Sequence, residues 1–67
     1  MRRKPPAVLV EWQEAAQAYV DAREAGSALV AVRARTQKAW LALEATGRFE
    51  ASPYALELMD EVMRPLQ

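Results

Sequence analysis

Cysteine and histidine are both missing from this chain of 67 residues. With them go the strongest protein nucleophile, the usual soft metal ligand and the side chain that most often serves as a general base. Most catalytic templates therefore lose a member at once. No disulfide can staple the fold, and absent cysteine fits the cytoplasm. Glycine occurs only at Gly26 and Gly47, and the prolines sit near the ends or in one connection. The long stretches between them hold no strong helix breaker.

Long apolar runs are also missing. The longest, residues 28–32 and 39–43, hold five residues each, far short of the roughly 20 residues that cross a bilayer. After Arg2-Arg3-Lys4, the stretch from Pro5 to Val10 is too short for a signal-peptide core and meets Glu11 at once. A cytoplasmic protein without a membrane partner is the expectation. An excess of one charge is the last absence: Lys and Arg number 9, Asp and Glu number 9, and the net charge is zero. Nucleic-acid modules usually carry a strong basic bias.

The acidic groups suggest no chemistry beyond solvation. Glu57, Asp60 and Glu61 share one helical face and could in principle hold a divalent cation. A solvated face needs the same spacing, and Asp60 with Arg64 forms an i,i+4 pair that stabilises a helix. Glu11 and Glu14 lack the Glu-x-x-His pattern of a carboxylate metal site. Ser27, Ser52 and Thr46 read as caps and a helix end, and Thr36 as filler in an apolar stripe. The reading is of no enzyme, no cofactor, no metal and no small-molecule ligand.

What is present is a helix-forming composition: 52% of residues are hydrophobic, many of them alanine, the best helix former. The spacing predicts a first helix over residues 6–25, starting at Pro6, with Val8, Trp12, Ala15, Tyr19 and Ala22 on one stripe and Glu14, Gln17, Asp21 and Glu24 opposite. Gly26 then ends a helix and Ser27 offers an N-cap, which predicts a tight hairpin. A second helix follows over residues 28–46. Leu29, Val32, Thr36, Ala39 and Leu43 form its main stripe, with Trp40 on the flank. A weaker stripe of Val30, Ala34, Leu41 and Ala45 lies on another side. A helix with two apolar sides usually packs between two neighbours.

The heptad register of Val8, Ala15 and Ala22 continues through Leu29, Thr36 and Leu43. The alternative is therefore one long helix over residues 6–46 in a coiled coil, with Gly26 tolerated inside it. Gly47 closes the second segment, Phe49 anchors the connection, and Ser52-Pro53 opens a third helix over residues 53–64. Its stripe holds Ala55, Met59, Val62 and Leu66, widened by Leu56, Leu58 and Met63, and Pro65 ends it.

The fold class expected is all-α: a helical hairpin plus a third helix, residues 6–67 forming one domain behind a basic arm of residues 1–5. A chain of about 60 residues buries only roughly 60% of its unfolded surface. With no disulfide or metal, association is the remaining common staple. The expected role is a non-enzymatic interaction or oligomerisation module, pairing with itself or another protein. The expected interface holds Trp12, Tyr19, Leu29, Val32, Trp40, Leu43, Leu56, Met59 and Met63, since tryptophan concentrates at interface centres and methionine adapts to a partner. The alternative is a nucleic-acid-associated factor whose arm, Arg2, Arg3 and Lys4, neutralises phosphates. A helix-turn-helix over residues 34–59 is disfavoured, because Glu57, Asp60 and Glu61 would face the phosphates.

Overall fold

A computed structural model describes residues 6–47 and 49–64. Three helices follow one another: α1 (Ala7–Glu24), α2 (Val30–Glu44) and α3 (Pro53–Met63), with no strand among the described residues. The basic arm Arg2, Arg3 and Lys4, and the end of the chain from Pro65, lie outside the described residues.

Local chemistry sets each boundary. Pro6, expected as the first helical residue, is instead the N-cap of α1, which starts one residue later at Ala7; the Pro6 carbonyl accepts from the amides of Leu9 and Val10 at 3.0 and 3.2 Å. At the other end, Ser27 N donates to Ala22 O at 2.9 Å and Gly26 N to Arg23 O at 3.2 Å. These are the two bonds of a Schellman motif, and Gly26 takes the left-handed conformation it requires, φ +70°. The chain turns there, so the continuous helix over residues 6–46 does not form. Ser27 gives its backbone amide to that motif and lies two residues before the N-cap position, so it does not cap α2 as the sequence suggests. α2 starts at Val30 with Leu29 in the N-cap position and no side-chain cap.

Gly47 ends the second segment in the same left-handed region, φ +66°. Ser52 caps α3 by accepting from Ala55 N at 3.1 Å, with Pro53 at the first helical position. Arg64 is extended at the far end, as suits a residue that precedes a proline.

α1 and α2 form the hairpin, and α3 folds back against it. The buried core holds Trp12, Ala15, Ala16 and Tyr19 from α1, Thr36, Ala39, Trp40 and Leu43 from α2, and Ala55, Leu58, Met59 and Val62 from α3. Small residues meet where α1 crosses α2. Ala15 and Thr36 are both fully buried, which brings the backbones close. Around the connection the rings of Trp12, Trp40 and Phe49 pack together, the tryptophans tilted at 54° with centroids 5.4 Å apart and Phe49 edge-to-face with Trp40 at 5.6 Å. Phe49 thus anchors the linker, as its isolation in the sequence suggests. No buried side-chain nitrogen or oxygen among the described residues lacks a hydrogen-bond partner.

Candidate docking surface

The core stripes of the three helices face one another inside this single chain. Trp12, Tyr19, Trp40, Leu43 and Met59, all expected at an interface, are therefore buried among the chain's own helices. Leu29 and Val32 are half-buried against that core. Leu56 and Met63 stand apart from the others: they remain 55% and 44% exposed. The hairpin at Gly26 accounts for the division, because it supplies from the same chain the second surface that the stripes need.

The apolar area left outside is concentrated. Val30 is 71% exposed and Leu41 56%, and with Leu56, Met63 and Tyr54 they complete the set of exposed large hydrophobic residues among those described. At about 100° per residue, Val30, Ala34, Leu41 and Ala45 form one outward stripe of α2, and Ala31 and Ala42 extend it on one side. Every one of these six is exposed, and Lys38 is the polar residue among them. The other side of the stripe carries Gln37, Arg33 and Glu44.

Gln37 fixes where α3 sits. Its Nε2 donates to the carbonyl of Val62 at 2.8 Å, satisfying one of the orphan acceptors in the last turn of α3. α1 lies on the opposite flank of α2, where Arg35 pairs with Glu11 at 3.3 Å. On α3, Glu61 faces α1, with Tyr19 and Arg23 as its partners. Leu56 and Met63 lie well over 90° around α3 from Glu61 by the same helical rotation, on the edge away from α1. Val30 and Leu41 on α2, and Leu56 and Met63 on α3, therefore all lie on edges turned away from α1. Tyr54 alone of the exposed set sits on the α1 side, beside Trp12, Gln13 and Gln17.

The outer face of α1 is different in kind. Gln13, Glu14, Gln17, Asp21 and Glu24 are all exposed, and Gln17 Nε2 donates to Asp21 at 2.9 Å. One side of the molecule is thus solvated, and another is alanine-rich and apolar.

A polar cluster holds α1 to α3. Tyr19 Oη donates to Glu61 Oε2 at 2.6 Å, and Arg23 Nη1 reaches both oxygens of the same carboxylate at 2.6 and 2.7 Å. The Tyr19 bond, and after it the Arg23 pair, hold the Glu61 carboxyl below the usual carboxylate range. Burial first, then the bond to Glu61, push the Tyr19 phenol up. It therefore stays a donor across neutral pH. These bonds tie Tyr19 and Arg23 of α1 to Glu61 of α3.

An apolar groove of about 490 Å³ opens at the end of the hairpin between Pro6, Val8, Leu9, Leu43, Thr46 and Phe49. Ligand pockets of that size carry a few convergent polar groups that fix orientation. Among the described residues, the one polar side chain in the lining is Thr46, whose hydroxyl donates to Leu43 O at 2.8 Å. Among the described residues no group of acidic side chains is placed to hold a metal ion, and no helix is long and apolar enough to cross a membrane.

The sequence carried a signal for this surface. The second stripe of α2, Val30, Ala34, Leu41 and Ala45, is visible at helical spacing, but the bulkier first stripe draws the interface assignment. Comparison with protein-family models, with curated proteins and with solved structures finds no match to this chain.

Proposed function

We propose that the chain is a non-enzymatic helical interaction module whose docking face is the outer stripe of α2 together with the Leu56–Met63 edge of α3. One observation carries the reading: the buried residues of all three helices form one core, yet Val30, Leu41, Leu56 and Met63 stay exposed on the α2 and α3 edges turned away from α1. Scattered exposed hydrophobics are ordinary on any protein; a contiguous apolar strip rimmed by charge marks a contact site. The flanking charges here are Arg33 and Glu44, and Lys38 lies within the strip. Alanines at positions 31, 34, 42 and 45 would let a partner helix approach closely, because little side chain stands between the backbones.

The test is a photo-cross-linking amino acid placed at Ala34, with Glu14 on the solvated face of α1 as the control. A discrete adduct of defined mass from Ala34 and none from Glu14 is the expected result. Adducts from Glu14 alone, or none from Ala34, would remove the α2 face as the docking site.

A further inference from the structure

We propose that the partner on this face is a second copy of the chain, laid antiparallel along α2 about a two-fold axis passing near Gln37. The inference rests on the docking face described above and adds an identity and a direction to it.

Steric order gives the first argument. Run antiparallel against itself about the midpoint of α2, the outward stripe sets Val30 opposite Ala45 and Leu41 opposite Ala34. Each large side chain then meets a small one at both ends of the contact, and the two-fold repeats both pairs. Run parallel, Val30 would face Val30 and Leu41 would face Leu41, with Ala34 facing Ala34 between them. That leaves bulk against bulk and a gap between, which close packing penalises.

Charge gives the second. Arg33 and Glu44 lie on the same flank of α2, about 20° apart around the helix and on opposite sides of its midpoint. Antiparallel helices bring like flanks together, so Arg33 approaches Glu44 of the partner subunit and the symmetry makes two such pairs. Parallel helices bring opposite flanks together and would place Arg33 beside Lys38 of the partner subunit, with repulsion in both copies. The antiparallel arrangement does bring Lys38 near its own copy on the outer flank. Both ammonium groups end flexible exposed stems there and can splay into water.

The third argument is area. A helix with the 15 residues of α2 is about 22 Å long, and one helix face alone falls short of the roughly 1,000 Å² that a specific interface needs. α3 lies on the Arg33–Glu44 flank, so the two copies of α3 come to the same side of the axis. Leu56 and Met63 then widen the strip into a four-helix layer. The resulting interface is of modest size, and the expected affinity is micromolar.

Sedimentation equilibrium of the full chain, from about 10 to about 500 µM, tests this. The wild-type mass should rise from 7.5 kDa toward twice that value. Leu41→Glu should hold it at the monomer, with an unchanged helical circular dichroism spectrum, because Leu41 is exposed and lies outside the core. Arg33→Glu and Glu44→Arg should each weaken association about tenfold or more, and the double variant should regain most of it. A parallel pair would respond in the opposite sense, since Arg33→Glu would then attract Lys38. The proposal is overturned by a wild type that stays at 7.5 kDa throughout, by association that survives Leu41→Glu, or by Arg33→Glu strengthening it. A wild-type monomer would overturn self-docking alone, since an Ala34 cross-link of another mass would still support the docking face.

Discussion

The hydroxyl of Thr36 lies 3.0 Å from the carbonyl oxygen of Ala15 and 2.7 Å from that of Val32, buried in the contact between α1 and α2. A hydroxyl has one proton, so these two acceptors share it. Both carbonyls also accept a backbone bond within their own helices. Thr36→Val keeps the shape and strands no buried donor, and it should cost no more than about 1.5 kcal/mol. Thr36→Leu must push α1 away from α2 and should cost about 1–3 kcal/mol. Urea denaturation followed by circular dichroism separates the two. A larger loss for valine than for leucine would show that the hydrogen bond, rather than the close approach, matters most.

Trp12 supplies a second such link, its indole nitrogen donating to the Met59 sulfur at 3.2 Å. Met59→Leu conserves volume but removes the acceptor, leaving a buried N–H without a partner. The expected destabilisation is about 1–3 kcal/mol, against about 2–5 kcal/mol for Met59→Ala, which also opens a cavity. Tryptophan fluorescence during urea unfolding reads both. Equal stability of Met59→Leu and wild type would mean that the sulfur contributes only packing.

Acid should loosen the contact between α1 and α3. The folded-state pKa of Glu61 lies below its ordinary value, because the charged carboxylate accepts from Tyr19 and pairs with Arg23. Its contribution to stability is therefore fully present above the ordinary carboxylate range and is lost as pH falls through the lowered folded-state value. Glu61 and Arg23 are both about 40% exposed, so water and salt screen the pair and the effect is modest. Melting temperatures from neutral pH to about pH 2 should fall less steeply in Glu61→Gln than in wild type. Parallel curves would show that Glu61 does not hold the helices together.

Gly26 isolates a backbone effect. A Cβ added there would meet no atom within 4 Å, but the residue sits at φ +70°. Gly26→Ala should cost about 1–2 kcal/mol through conformation alone, visible as a lowered urea midpoint at unchanged helicity. A neutral result would mean that the turn relaxes into another conformation at no cost.

The same turn explains what the sequence made legible. Gly26, Gly47 and Ser52-Pro53 mark the ends of helices because each answers a local need for a left-handed residue, a side-chain acceptor or a missing donor. The stripe of Val8, Trp12, Ala15 and Tyr19 shows which side of α1 is apolar. It is silent on whether the opposing surface belongs to the same chain, and the Schellman motif at Ala22 to Ser27 decides that. For this reason Trp12, Tyr19, Trp40, Leu43 and Met59, read as interface residues, lie in the core. α2 also begins only at Val30, two residues later than the spacing suggests. Tyr19 and Glu61 stand 42 positions apart, and only the packed fold joins them. Leu56 and Met63, also expected at an interface, are exposed.

The central claim is that the outer stripe of α2 with the Leu56–Met63 edge of α3 is where the molecule docks, and that its own copy is the partner. Amide chemical shifts recorded while the protein is diluted from about 1 mM to about 20 µM test it residue by residue. Changes confined to Val30, Ala34, Leu41, Ala45, Leu56 and Met63 and their neighbours, with Gln13, Gln17 and Asp21 silent, are the expected result. Shifts centred on the outer face of α1, or a spectrum that does not change across the series, would contradict it.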